Sequence, residues 1–339
     1  MKVIVVTRDI TFGGSGQVIK SKVRDLERNP KVKKIVVISS EIFNTESKKV
    51  EFKKFRLIGN IFVTKEISYI LNANRVLRKV LSEDSDYDLV LCNNSFLNFS
   101  PKEYNKNIKI ISMFHALRLS FYKNLPKKTV SDNFIRHLHK LFSFNNFNQL
   151  KYSDKAFFVS RKTMEEAKVF YPEFKHKFAH KPNKVDKSKF FRIGKKEKEA
   201  LKKKLSLKEE NILLYVGRLD PLKGIDILAK TLEGIKDKSF VFLVIGDGPL
   251  RNKIKSYKFV RWLGKIDNDK LCKYYNIADL FLFPSLYENY PMTILEAKSC
   301  GCDILATDVG DNSYILNRNQ IFDIEDPKDL EKKIRRKLK

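Results

Sequence analysis

Residues 279–307, "DLFLFPSLYENYPMTILEAKSCGCDILAT", read as strand, loop, helix and strand in that order. The apolar runs "DLFLFP" (279–284) and "CDILAT" (302–307) have the length and continuity of strands buried on both faces. Between them, Pro291 suits a first helical position, where its missing N–H costs nothing. Gly301 suits a helix stop, because glycine accepts the left-handed conformation found there. The punctuation predicts a helix over 291–300. Two strands joined through a helix form a βαβ unit, which implies a parallel sheet.

The same stretch carries two glutamates. Glu288 falls in the loop before the helix and Glu296 inside it. The same-face neighbours of Glu296 are Met292, Thr293, Ser299 and Cys300, none of them charged. A glutamate is seldom buried without a partner, so either the helix carries one awkward acid or the partner is a ligand. A helix N-terminus offers free N–H groups and positive potential to a phosphate. Glu296 lies roughly 7 Å further along at about 1.5 Å per residue, where a carboxylate can accept two hydrogen bonds from a ribose diol. Glu288, on the other side, would face whatever the phosphate carries. A nucleotide-sugar satisfies all three positions.

Outward from this unit the strand and helix alternation continues. The first half has "VIVV" (3–6), "IVVI" (35–38), "DLVLC" (88–92), "IKIISMF" (108–114) and "KAFFVS" (155–160). The second half adds "NILLYVG" (211–217), "FVFLVIG" (240–246) and "FVRWLG" (259–264). Between the two sets lies a charged, proline-marked segment with a boundary near Pro182 to Gly194. The expected architecture is α/β, with two doubly wound, Rossmann-like domains, 1–182 and 183–339, facing across a cleft lined by strand carboxyl ends.

At 339 residues and 42% hydrophobic, the chain can bury two cores. It has no apolar run of about 18 residues, so no membrane span is expected. The start "MKVIVVTRD" reads as a strand rather than a signal peptide. Cys92, Cys272, Cys300 and Cys302 lack zinc-site spacing and read as reduced structural thiols of a cytoplasmic protein. Residues 101–200 carry 24 Lys and Arg against 9 Asp and Glu, which is +15 of the net +28. Such a field attracts anionic partners, whether nucleic acid, acidic membrane or phosphorylated substrates. Within it, Phe134, Ile135, Leu138, Leu141 and Phe142 fall on one helical stripe, with Arg136, His137, His139 and Lys140 on other faces. Lys123, Lys127 and Lys128 lie just upstream, and a basic loop of this kind could face an anionic membrane.

Several strand ends carry chemistry. After "NILLYVG", the loop "GRLDPLKGID" opens at Gly217 and presents Arg218 and Lys223 around an Asp-Pro turn. A planar fork and a point charge suit a diphosphate. "GDGPL" (246–250) permits close backbone approach. Gly13, Gly14 and Gly16 follow the first strand without making a dinucleotide fingerprint, and read as a phosphate or sugar cradle or as a plain turn before a helix. His115 ends another strand. "DND" (267–269) reads as a helix cap rather than a metal site.

In this order and spacing the motifs resemble the family 4 glycosyltransferases of the GT-B fold over nearly the whole chain. Glu288 and Glu296, "VGRLDPLKGID", "GDGPL" and "IADLFLFPSLYENYP" carry most of the likeness. "SDKAFFVSRKTMEEA", "KPNKVDKSKF" and the N-terminal Gly-Gly add to it. The resemblance implies a retaining transferase that takes a hexosyl group from a UDP- or GDP-linked donor, with no metal and no separate cofactor, to a glycan or lipid-linked acceptor. It implies that Glu296 binds the donor ribose and Glu288 the transferred sugar. Arg218 and Lys223 would hold the diphosphate, with amides near Asn289 and Tyr290 and with Gly217 and Thr293 beside them. His115 would contact the donor sugar, and Gly13 and Gly14 would form the N-terminal loop nearest the reacting phosphate. The alternatives are a GT-B epimerase or phosphorylase and a basic nucleic-acid-binding protein, although no nucleic-acid motif is present.

Overall fold

The computed structural model describes residues 1–8, 13–59, 62–120, 137, 140, 143–209, 211–235, 240–323 and 326–338. The chain forms two compact units, Met1–Pro182 and Asn183–Lys339. The stripe residues Phe134, Ile135, Leu138, Leu141 and Phe142, together with Arg136, His139, Lys123, Lys127 and Lys128, lie outside the described residues, whereas His137 and Lys140 are exposed.

Among the described residues the first unit holds a sheet of seven parallel strands: β1 (Lys2–Thr7), β2 (Lys34–Ser39), β3 (Val50–Lys54), β4 (Leu89–Asn93), β5 (Lys109–Phe114), β6 (Lys155–Phe158) and β7 (Phe178–His180). Their order is β3-β2-β1-β4-β5-β6-β7, so the winding reverses between β1 and β4. The helices Gly13–Arg28 and Phe62–Glu83 follow β1 and β3. The apolar runs of β1 and β2 are buried almost throughout because helices cover a doubly wound sheet on both faces. Sequence reading passes over β3, "VEFKK". It is an edge strand with only two apolar residues, and its charges face water. β7, at three residues, is too short to register as a run.

The second unit repeats the plan with β8 (Asn211–Val216), β9 (Phe240–Ile245), β10 (Val260–Gly264), β11 (Leu280–Phe283), β12 (Asp303–Thr307) and β13 (Ile321–Phe322). The described strands run β10-β9-β8-β11-β12-β13, and the pairs are parallel. β9 is buried along its whole length. One apolar cluster, with Ile212, Leu214, Phe281, Ile294 and Ala297, lies on one face. Another, with Leu213, Leu228, Phe242, Leu282 and Ile334, lies on the other. The winding reverses between β8 and β11, where Leu280 pairs with Leu213 and Phe281 with Leu214. At such a reversal the loops after the two central strands diverge to opposite faces and open a crevice for ligand at their carboxyl ends.

The expected helix of the opening stretch spans Met292–Ser299. Pro291 takes the capping position (φ −76°, ψ 119°) rather than the first turn. Gly301 adopts φ +75°, the left-handed stop. The glycines after β1 differ from expectation, because Gly13 and Gly14 are the first residues of the helix Gly13–Arg28 and not a turn preceding it. The four cysteines are free thiols. No described helix is long and apolar enough to cross a membrane.

Candidate active site

The loop after β8 and the loop after β11 flank the reversal of the second sheet, and between them they carry Arg218, Lys223 and Glu288. Asp220 organises the first loop. Its carboxylate accepts the Lys223 backbone N–H at 3.1 Å, capping the short turn Pro221–Lys223, and pairs with the Arg218 guanidinium at 3.1 Å. The buried Tyr215 hydroxyl donates to the Arg218 carbonyl at 2.7 Å. Burial raises the Tyr215 pKa well above the usual phenol value, so the hydroxyl remains a donor. With its backbone pinned, Arg218 leaves its side chain 72% exposed, whereas that of Lys223 is only 22% exposed.

Lys223 forms an ion pair with Glu288 through its ammonium group. Sequence reading put the lysine on a diphosphate and the glutamate on a sugar; here the two side chains touch each other. Ser285 adds a long hydrogen bond from its hydroxyl to the same carboxylate, at 3.4 Å. The Glu288 side chain is 16% exposed, so the pair is partly desolvated. Removal of either partner leaves the other charge poorly compensated.

The loop carrying Glu288 is fixed from a distance by Gly310. At φ +56° this residue passes so close that a Cβ would stand 2.5 Å from the carbonyl oxygens of both Glu288 and Asn289. The Asp311 N–H then donates to the Asn289 carbonyl at 2.9 Å. Gly310→Ala is expected to cost on the order of 1–3 kcal/mol of stability, since it adds both strain and a clash. It should also lower turnover by displacing Glu288. Denaturant titration with a parallel activity assay checks this, and an unchanged unfolding midpoint would refute the close approach.

Glu296 is buried, at 4% exposure. The Asn268 amide donates to its Oε1 at 2.9 Å and the Tyr275 hydroxyl to its Oε2 at 3.0 Å. Burial raises the carboxyl pKa above the ordinary value, and the two hydrogen bonds pull it back. Two protein donors therefore satisfy the acid that the sequence read as either awkwardly unpartnered or partnered by a ligand, and each oxygen keeps a second lone pair. Asp267 stands at a cap position but makes no side-chain capping bond; the polar service of "DND" goes from Asn268 to Glu296 instead. Neither Asn268 nor Tyr275 is at a spacing from Glu296 that sequence periodicity reads. Tyr290 and Asn289 lie in the loop before the helix, and Thr293 is in its first turn, part-buried.

After β9, Gly246 fulfils the close approach expected of "GDGPL". At φ +133° a Cβ there would sit 1.8 Å from the Gly217 carbonyl. Beside it is a pocket of about 430 Å³ lined by Asp247, Arg251, Asn252 and Lys265, among others.

In the first unit, His115 follows β5, and its Nε2 lies 2.9 Å from Asn93 Oδ1 at the end of β4. Burial lowers its pKa to about 4, so the ring is neutral near pH 7. Gly13 and Gly14 open the helix after β1 in the same unit. Among the described residues no group of three or more His, Cys, Asp or Glu side chains is placed to hold a metal.

Comparison with known proteins bears on this site. The putative teichuronic acid biosynthesis glycosyltransferase TuaC of Bacillus subtilis is 31% identical over 131 residues, which are 38% of this chain and 33% of that protein. The chain thus spans about a third of the length of such curated relatives. WaaG, a glycosyltransferase involved in lipopolysaccharide biosynthesis, superposes with a TM-score of 0.79 at 18% identity, over 99% of this chain and 90% of that one. Anabaena HepE, solved with UDP and glucose, superposes with a TM-score of 0.70 at 14% identity, over 99% and 89%. These likenesses establish the GT-B fold, two parallel-sheet α/β units in one chain. The description "Glycosyl transferases group 1" matches residues 197–339, which hold Arg218, Lys223, Glu288 and Glu296.

Proposed function

We propose that the protein is a retaining hexosyltransferase that takes its sugar from a UDP- or GDP-linked donor and passes it to a glycan or lipid-linked acceptor. One observation carries this reading: at the reversal of the second sheet, Arg218 and Lys223 stand in the loop after β8, Lys223 pairs with Glu288 in the loop after β11, and Glu296 lies inside the helix that follows. In it, residues 183–339 bind the donor and residues 1–182 the acceptor. Glu296 takes the ribose diol, and Arg218, Lys223 and the amides of Asn289 and Tyr290 take the diphosphate, with Gly217 and Thr293 alongside. Glu288 meets the transferred sugar; His115 is assigned a donor-sugar contact, and Gly13 and Gly14 a place near the reacting phosphate. The anomeric C–O bond to the diphosphate breaks while the acceptor oxygen bonds on the same face, and the acceptor's proton passes to the departing phosphate oxygen. Preorganised cations and amides stabilise the charge that grows on the diphosphate, and the reading includes no metal and no resident cofactor.

A thermal-shift screen over UDP, GDP and their sugars tests the donor assignment. Stabilisation by one nucleotide series is expected, and indifference to every nucleotide would defeat it. Retention is read from the anomeric configuration of the product by NMR.

The net charge of +28 also supports a cytoplasmic protein attached peripherally to an anionic membrane surface, where a lipid-linked acceptor would reside. The described residues include the exposed, lysine-rich helix Lys195–Lys204. Each charge near anionic lipid contributes about 1 kcal/mol, a gain that salt screens. Co-sedimentation with anionic vesicles at low salt, lost at high salt, is the expected result. Binding that ignores lipid charge would contradict it.

A further inference from the structure

Cys272 opens the helix Cys272–Ile277, and Cys300 is the carboxyl-terminal cap of the helix Met292–Ser299. Their sulfurs lie 3.8 Å apart. Cys300 is buried and Cys272 is partly exposed. Cys272 Sγ is held in place by the Phe191 carbonyl at 3.6 Å and the Asn276 amide at 3.4 Å. The same two helices meet again where the Tyr275 hydroxyl donates to Glu296 at 3.0 Å. Tyr275 stands three residues after Cys272, and Glu296 four before Cys300, one helical turn in each case. The Cys300 N–H also donates to the Glu296 carbonyl at 3.1 Å. The thiol pair and the Tyr275–Glu296 bond are therefore neighbouring rungs between one pair of helices. Cys302 is close in sequence, but its thiol donates to the carbonyls of Ala278 and Asp303 instead, at 3.6 and 3.3 Å.

We propose that Cys272 and Cys300 form a site of reversible oxidation by peroxides, and that their disulfide displaces Tyr275 from Glu296. A partly exposed thiol is the one a peroxide reaches. The Cys272 thiolate, its proton released to water, attacks one peroxide oxygen. The O–O bond breaks, and the departing hydroxide takes up a proton and leaves as water. The Cys300 thiol then attacks the sulfenic sulfur. The S–S bond forms, the S–O bond breaks, and the hydroxyl leaves with the thiol proton as a second water. Two thiols lose two electrons and one peroxide gains them. Burial, with Cys272 beside it, pushes the Cys300 thiol up, which suits the partner that closes the disulfide rather than the one that meets peroxide. A disulfide holds its sulfurs at about 2 Å, so closure moves the cap of one helix against the start of the other. The bond from Tyr275 to Glu296, one turn away, is displaced with them. The consequence for nucleotide binding rests on the reading of Glu296 as the ribose contact; the disulfide itself does not.

The test treats the full chain with hydrogen peroxide at neutral pH, alkylates the remaining thiols and maps the disulfide by mass spectrometry. A Cys272–Cys300 cross-link that dithiothreitol removes is expected, with Cys92 and Cys302 recovered as thiols. Cys300→Ser should leave Cys272 as a sulfenic acid that dimedone traps. UDP and GDP are then titrated into the reduced and oxidised forms by calorimetry. The oxidised form should bind its nucleotide roughly tenfold more weakly. By linkage, saturating nucleotide should shift the thiol–disulfide ratio in a glutathione buffer by the same factor towards the thiols. No cross-link in the wild type, a cross-link through Cys302 instead, or equal nucleotide affinity in the two forms overturns the proposal without any need for a variant to fold. The expected cross-link in a protein that binds neither nucleotide would uphold the oxidation site and defeat the nucleotide-sugar reading instead.

Discussion

Lys223→Ala is expected to lower the rate of sugar transfer by about 10²–10³, the range seen when one preorganised charge-stabilising group is lost. Donor affinity should change far less, because the negative charge that Lys223 meets grows as the anomeric bond breaks. Arg218→Ala should cost less, about tenfold. Its guanidinium is 72% exposed and already paired with Asp220, so water and salt can partly replace it. Lys223 has a second role that Arg218 lacks. It neutralises Glu288, and its removal leaves a carboxylate beside the departing diphosphate. Lys223→Ala combined with Glu288→Gln should therefore recover part of the rate lost in Lys223→Ala alone, a coupling that a double-mutant cycle measures. Lys223→Arg should rescue incompletely, since a planar fork and a point charge differ in geometry. Turnover near wild type in Lys223→Ala would move the phosphate site elsewhere.

Glu296 and Glu288 should separate nucleotide binding from turnover. Glu296→Ala is expected to weaken binding of free UDP or GDP at least tenfold, as loss of a charged hydrogen-bond partner costs about 1.5–3 kcal/mol. Glu288→Ala should leave free-nucleotide binding nearly intact while turnover falls. The alanine at 296 also strips Asn268 and Tyr275 of their acceptor in a buried place, so Glu296→Gln, which keeps the volume, is the companion variant. The ionised carboxylate is the form that accepts both diol hydrogens. Burial raises its pKa, so nucleotide affinity should decline on acidification at a higher pH than an ordinary glutamate would set, and the glutamine variant should flatten that decline. Calorimetric titration with UDP and GDP checks both variants. Equal losses of nucleotide affinity at the two positions would end this division of labour.

Much of this architecture is legible in the residues alone. The ten apolar runs named from sequence all lie on strands, because a strand buried on both faces must be apolar at successive positions. The three unread strands, β3, β7 and β13, are an edge strand with outward charges and two very short pieces. Local pattern was weak where burial was weak. Pro291 and Gly301 bounded the helix to within one residue at each end, since those constraints act within a turn of chain.

The sequence by itself determined the parallel α/β class, the positions of the strand ends, and the presence of cations and paired glutamates there. All of these follow from periodicity and turn chemistry, which act over a few residues. Only the tertiary structure decided which groups meet. The Lys223–Glu288 pair spans 65 positions, Asn268 and Tyr275 reach Glu296 across 28 and 21, and Asn93 reaches His115 across 22. Those contacts depend on the order of strands in each sheet and on the backbone approach at Gly310. Neither is encoded in any local window, because parallel strands are brought together through crossovers whose neighbours are chosen by packing of the whole sheet.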